Sequence, residues 1–495
     1  MRIVIAAAAQ TVSHWKPEYG ADTAPSPTIL RAEAARRVLP SHLKHVGALA
    51  VVRTTDDSLP TSTHPFGRDA NPPGTLARAL GLEADELIHS GSGGQSPGAL
   101  LLEMAERIHA GRITSALIVS AEATGAAKLA RRTGLTLSWA ADDPAPLTDR
   151  GAALDWMDPH ELRHGLHTPA HYYALVETAL AHRDGHGREA HRRAMAELLA
   201  PFSEVAAANP HSQFPVAWSA DALATPSPEN YPLADPYLKH HAAQDAVNQG
   251  VAVLVMRESE ALEMGLSEFT YLLGGATAKD GTLSRRGDIT RAGAMEAAGR
   301  AALEATGVEL ADVDALDLYS CFPCAVWCGL AALGHSAPIP VPLTVTGGLP
   351  FFGGPGNGYS LHALAEMHTR LRSTRERGLV LANGGWLSKA AVTLHSGAPA
   401  DYTPAPPRID AAQDERDLVT TSCEGRLEAF TFTRDRNSVP VLGTALVRVR
   451  DSRALATATG DALTVLAEDR SPIGRDVRVE VENGIGRLHF LGGIR

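Results

Sequence analysis

Two stretches, GRITSALIVSAEA at 111–123 and GLVLANGGWLSKA at 378–390, decide the reading of this chain. Each sets a glycine before a continuous apolar run and a small-residue turn after it, the pattern of a buried strand ending in a tight loop. Their recurrence implies an internal duplication with a repeat of roughly 130 residues, interrupted by an insertion. Around the first copy, Arg2–Ala7, VGALAVVRT at 46–54 and Glu83–His89 read as strands. PTILRAEAARRV at 27–38 and LLLEMAERIH at 100–109 have helical spacing. Around the second, FTYLLGGAT near 269 and ALDLY ending at Tyr319 read as strands, and 289–306 as a helix. Strands alternating with helices predict a mainly parallel sheet covered on both faces.

Residues 125–240 hold nine of the 21 histidines and many prolines but few strand signals, so they read as a long excursion over one end of the sheet. The alternating pattern returns at VAVLVM, 251–256. GAPADYTPAPPR at 397–408 reads as a linker, because prolines crowd it and periodicity stops. Beyond it LEAFTFTR, VPVLGTALVRV, ALTVLAE, DVRVEVENG and RLHFLGG read as short strands of a small β-barrel. The expected division is a first half at 1–265 with a loop domain near 125–240, a second half at 266–397, a linker at 398–413 and a barrel at 414–495.

Composition excludes several function classes. Hydrophobic residues make up 44% and charged residues 20%, so a disordered chain is excluded. No run approaches the ~20 apolar residues of a membrane-spanning helix, and MRIVIAAAAQTV reads as a first strand rather than a signal peptide. A net charge of −11 argues against nucleic acid as partner. Four cysteines suit a reducing compartment, so the expected location is cytoplasmic.

Three motifs invite chemistry. His-Glu-Leu-Arg-His at 160–164 matches a zinc-binding helix, but Gly165 cuts the helix short and the histidine-rich surroundings make a chance match common, so no metal is expected. Gly94-Gln95-Ser96-Pro97-Gly98 matches a nucleophile elbow. Pro97, however, lacks the N–H such an elbow supplies to the oxyanion, and Ser96 as N-cap with Pro97 following explains the same residues. Cys321, Cys324 and Cys328 share one helical stripe and read as core packing, with Cys321 at a strand end the candidate reactive thiol. Glycine-rich turns at 91–98, 347–358 and 383–385 can bring bare backbone N–H groups to a ligand.

DLYSCFPCAVW at 317–327, TGGLPFFGGPGNGYSLHAL at 346–364, ADPYLKHHAAQDAVNQGVAVLV at 234–255 and EVAAANP at 204–210 resemble the thiolase superfamily, in its thiolase-like branch with an added C-terminal domain. The resemblance implies an α/β fold of two βαβαβ-type halves, layered α/β/α/β/α, followed by an all-β, OB-like barrel. It also implies an acyl-CoA ligand, no other cofactor, lipid or acyl-CoA metabolism, and a homodimer or a partner enzyme. The family's nucleophilic cysteine falls on Gly94, its Gly-His-Pro turn on Gly353-Gly354-Pro355, and its second cysteine on Ala382, ahead of Asn383, Gly384 and Gly385. The fourth element falls on Tyr319-Ser320-Cys321-Phe322. Cys321, His362 and Tyr319 are therefore the expected catalytic groups. Gly94, Ser96, Gly353, Gly354, Asn357, Asn383, Gly384 and Gly385 are the expected substrate-binding positions. The functions implied are an acyl-CoA acyltransferase with a non-standard site, a retro-aldolase acting on CoA thioesters through Tyr319 or Tyr359, or a non-catalytic acyl-CoA-binding or partner-recruiting protein.

Overall fold

A computed structural model describes residues 1–492 of the chain apart from 60, 154, 336–340, 413, 436–437 and 469–471. Its first sheet is built from β1 (Ile3–Val12), β2 (His45–Val51), β3 (Glu83–His89), β4 (Ser115–Glu122), the two-residue β5 (Thr148–Asp149) and β6 (Gln249–Arg257), in the order β5-β3-β2-β4-β6-β1. The second is built from β7 (Thr270–Lys279), β8 (Ala315–Leu318), β9 (Arg377–Gly384) and β10 (Lys389–Ser396), in the order β7-β10-β9-β8. Among the described residues the two are joined where Val4 and Ile5 of β1 pair Tyr271 and Thr270 of β7. Strand β4 and its counterpart β9 occupy equivalent places beside β6 and β10, so the two quoted stretches are copies of one structural position.

The sheets are mixed rather than mainly parallel. β2, β3 and β4 run parallel, as do β8 and β9. β6 and β10 run antiparallel to β4 and β9. For β10 the cause is local: Gly385–Ser388 is too short for the crossover that a parallel neighbour requires.

Alternation along each strand sorts its residues between layers. In β6, Val251, Val253 and Val255 face the middle of the molecule, and Ala252, Leu254 and Met256 face the outside. The middle layer is two helices, Ser96–His109 and Tyr359–Leu371, whose Leu101, Met104, Ile108, Leu361, Leu364 and Met367 fill the space between the sheets. Helix Pro27–Val38, capped by Ser26 with Pro27 at its first turn, covers the outer face of the first sheet. Gly293–Thr306 and Pro323–Ala332 cover that of the second. The result is the layered α/β/α/β/α arrangement.

After the short β11 (Ile409–Asp410), which pairs β7, a closed barrel follows in the order β12-β13-β14-β16-β15. Its strands are β12 (Cys423–Arg434), β13 (Pro440–Val449), β14 (Ser452–Ala458), β15 (Asp476–Glu482) and β16 (Ile485–Phe490). One expected strand is corrected: ALTVLAE lies in the helix Gly460–Glu468, where Ala462, Leu463 and Leu466 share a buried face at helical spacing. The strand in its place is the alanine-rich β14.

Polar anchors hold the barrel to the body. Arg453 is fully buried; it meets both oxygens of Glu428 at 2.7 and 2.9 Å and donates to the carbonyls of Ser284 and Arg286 in the second half. Arg188 reaches from the excursion to the last carbonyls of Gly460–Glu468, those of Leu466 and Ala467. Thr178 exchanges hydrogen bonds with the backbone of Phe430. Removing one partner of such a buried pair strands a charge, so Arg453→Ala is expected to cost about 3–5 kcal/mol. The measurement is the shift of the urea unfolding midpoint; a change below 1 kcal/mol would mean the anchor contributes little.

Candidate active site

The two middle helices begin at glycine-rich turns that meet each other. Asn357 carries the contact: its Oδ1 accepts from the Gly93 N–H at 2.9 Å, while its Nδ2 donates to the Arg53 carbonyl and the Ser58 hydroxyl. Ser360, in the first turn of Tyr359–Leu371, donates to the Gly94 carbonyl at 2.6 Å. The ends of β8 and β9 arrive beside the same turns and supply Tyr319, Cys321 and Asn383.

Gly94 lies where no side chain fits. A Cβ there would collide with the Tyr319 hydroxyl and the Asn383 carbonyl. Tyr319 therefore occupies the space that a side chain from residue 94 would enter. Gln95 is the N-cap of Ser96–His109, and its Oε1 is buried without a partner, lying against Gly93 and Gly384. Ser96 is one position further into the helix than expected. Gln95 already has helical backbone angles, so Ser96 begins the helix and its hydroxyl turns back to the Gly91 carbonyl at 3.0 Å.

Cys321 and Tyr319 are each 7% exposed. The excursion brings a partner that the motifs did not indicate: Tyr173, on the helix Pro169–Arg183. Its hydroxyl accepts from Asn383 Nδ2 at 2.8 Å and hydrogen-bonds the Cys321 thiol, and its ring stacks on Phe322. Nothing in the local sequence of an insertion marks which tyrosine will reach a strand end 210 residues away. Burial pushes the Cys321 thiol up to about 12, despite its hydrogen bonds with Tyr173 and Asn383, and raises the Tyr319 phenol as well. Both groups are neutral at physiological pH.

His362 is held elsewhere. Its Nδ1 meets Gln10 Oε1 at 2.6 Å, its ring packs on Phe352, and burial lowers it to about 3. Cys321 and His362 thus have separate partners. Tyr359 belongs to another buried network, with the Thr346 hydroxyl at 2.5 Å and Asp317 Oδ1 at 3.2 Å.

At Gly353, with φ +126°, a Cβ would meet Gln249 Oε1, which is also buried without a partner. Gly354 lies against Ala243 and the Gln244 carbonyl. Asn383 Oδ1 accepts the Leu387 N–H, closing the turn over Gly384 and Gly385. Trp156 packs on Gly385, and Tyr172 stacks on Trp386 at 3.7 Å. Aromatic residues of the excursion thereby cover this turn.

The His160–His164 segment contacts the barrel and the second half. Glu161 caps its own short helix and accepts the Ser284 N–H, while His164 Nε2 accepts the Gly486 N–H at 2.9 Å. Among the described residues no group of three His, Cys, Asp or Glu side chains is placed to hold a metal ion. No described helix is long and apolar enough to cross a membrane.

Solved structures are similar to all or most of the chain. A monomeric SCP2-thiolase like protein type 1 from Mycobacterium smegmatis is 31% identical, with 99% of each chain covered and a TM-score of 0.82. The Ltp2-ChsH2(DUF35) aldolase is 18% identical over 81% of this chain and 99% of its own, with a TM-score of 0.56. Acetyl-CoA acetyltransferase from Syntrophomonas wolfei is 16% identical over 80% of this chain and 99% of its own, with a TM-score of 0.55. These last two share the fold. No family model and no curated protein matches the chain.

Two outcomes test the site. At pH 8, iodoacetamide should alkylate the half-buried Cys423 while Cys321, Cys324 and Cys328 react on the order of a thousandfold more slowly than a free thiol, read by peptide mass spectrometry. Gly94→Cys should lower the melting temperature without creating an acylable thiol; a variant as stable as the parent would show that the space is open.

Proposed function

Because this chain belongs to the SCP2-thiolase-like proteins of the thiolase superfamily, we propose that it binds an acyl-CoA thioester at the junction of its two halves without forming an acyl-cysteine. One observation carries the reading. At the start of Ser96–His109 a donor and an acceptor are left unmatched: among the described residues the Gly94 N–H has no acceptor, and Gln95 Oε1 has no donor. Buried polar groups are nearly always paired, so two neighbouring exceptions mark a place for a polar ligand group. A carbonyl oxygen could take the Gly94 N–H, favoured by the positive end of the helix. An amide N–H, as in a pantetheine arm, could supply Gln95.

Covalent acyl transfer of the thiolase kind has little support here. Residue 94 has no side chain, the residue at the second cysteine is Ala382, and the Cys321 thiol is held protonated by burial. Any transferase activity would therefore pass the acyl group directly between bound molecules. A second reading, cleavage of a carbon–carbon bond α to the thioester, is favoured by the Tyr319 hydroxyl in the space beside Gly94. A protonated phenol there can donate to a developing oxyanion.

Calorimetric titration with acetyl-CoA and with longer acyl-CoAs should give saturable heat, and intact mass should show no acetyl adduct. Gln95→Leu should weaken binding about fivefold, the worth of one hydrogen bond. Absence of heat and of any melting shift with every acyl-CoA would overturn the proposal. Conversion of a β-hydroxyacyl-CoA, abolished by Tyr319→Phe, would instead select the second reading.

A further inference from the structure

The parallel strands β2 and β4 end beside a small cavity of about 50 Å³. Three helices start in its wall: Pro27–Val38 through Pro27 and Thr28, Pro72–Leu80 through Pro72, and Thr124–Thr133 through Thr124. The crevice beyond the carboxyl ends of parallel strands is where open α/β sheets take ligands, and helix N-termini there favour an anionic oxygen. The space exceeds what one water needs and admits a group of a few non-hydrogen atoms.

One side chain in this wall is left incomplete. Arg31, in the second turn of Pro27–Val38, is 1% exposed. Its Nε and Nη2 are buried without a partner; Nη1 has none either among the described residues and is not sealed off from the cavity. Asp69, Asp57 and Glu122 act on Arg31 only through space. Each of them is engaged elsewhere. Asp69 accepts the Thr28 and Thr75 hydroxyls at 3.2 and 2.9 Å, Asp57 accepts Arg68 Nε at 3.0 Å, and Glu122 Oε1 accepts the Thr55 N–H at 2.6 Å. A buried guanidinium is nearly always matched by acceptors, so this one marks the place of an oxygen that the chain does not supply.

The charges of the wall narrow the ligand. Its two guanidinium groups, Arg31 and Arg68, are set against four carboxyl groups, those of Asp56, Asp57, Asp69 and Glu122. His64, the remaining titratable group, lies 4.0 Å from Asp57, the carboxylate that Arg68 already holds. Burial raises Glu122 to about 7, yet with that proton in place the other carboxylates still outnumber the guanidiniums. A ligand bringing only negative charge would be repelled by them. We infer that the cavity takes a small zwitterion of the α-amino-acid class, its carboxylate on Arg31 and its ammonium toward the carboxyl groups of Asp57, Asp69 and Glu122. The site is independent of the thioester reading: none of the residues argued there lines this cavity.

The test is calorimetry on the full chain with glycine and with alanine, beside acetate and methylamine, which each carry one of the two charges. At least one amino acid should give saturable heat with a Kd below about 1 mM, and the single-charge probes should bind at least about tenfold more weakly. Arg31→Met keeps the length of the side chain and removes its charge. It should weaken amino-acid binding about thirtyfold, the worth of a charge-assisted hydrogen bond, and raise the melting temperature, because a buried cation without a partner costs stability. A lower melting temperature would overturn the proposal, since Arg31 would then be holding the fold and not a ligand. Acetate binding as tightly as the amino acids would overturn it too, as would binding that survives Arg31→Met. No heat with either amino acid would leave a cavity filled by water only. Acyl-CoA binding, present or absent, leaves these results untouched, so the two proposals fail separately.

Discussion

The side-chain amide of Asn357 is the contact on which the centre of this molecule depends. It ties the turn before one middle helix to the turn before the other, and it also reaches the end of β2 through the Arg53 carbonyl. Three backbone segments from different halves are thus fixed by four side-chain atoms. An amide can do this because it offers acceptor and donor together, whereas a carboxylate or an ammonium would leave one partner unmatched. With the turns fixed, the ends of β8 and β9 fall beside Gly94, and every distance in the candidate site follows from that registration.

What the registration brings together is a polar site of low charge. Cys321, Tyr319, Tyr173 and Asn383 are neutral hydrogen-bonding groups in a region where burial raises every acidic proton's pKa. Such groups cannot generate a thiolate at neutral pH, but they can hold a carbonyl or an amide in a fixed orientation. The enclosing aromatic residues sharpen the contrast. Tyr172, Trp156 and Trp386 pack over the turn at Gly384–Gly385, which leaves Gly384 buried and Gly385 partly exposed.

The fold was largely legible in the sequence because it rests on repeated local patterns. A buried strand after a glycine at 111–123 and again at 378–390 is enough to find the duplication, and both occupy the same sheet position. Strand direction was less legible, because it depends on which connection is a hairpin and which a crossover. ALTVLAE misled for another reason: a short stretch with five apolar residues in seven satisfies either period, and only the barrel decides which face is covered. In the site, Gly94, Tyr319, Cys321 and Asn383 could be placed by motif since they sit at strand and helix ends. His362 shares a motif with Asn357 yet faces Gln10, because it follows Ser360 by two residues and so lies on the other side of the helix from the side chain that meets Gly94. Tyr173 could not be found in advance, since it belongs to the insertion, whose contacts are long-range.

The excursion and the barrel have a joint role that neither sequence segment implies alone. The helix Pro169–Arg183 carries Tyr173 to the site, Glu177 to the buried His191, and Thr178 to the barrel backbone, all within six residues. Residues 173 and 177 are one helical turn apart, so they share a face against the body, and Thr178 is rotated from it toward β12. A shift of the barrel would therefore pull on the same helix that positions Tyr173 against Cys321. The barrel's buried anchors, Arg453 above all, then serve the site as well as the interface, since they limit how far that helix can move. Coupling of this kind needs no dedicated pathway, only one rigid helix with three loaded positions.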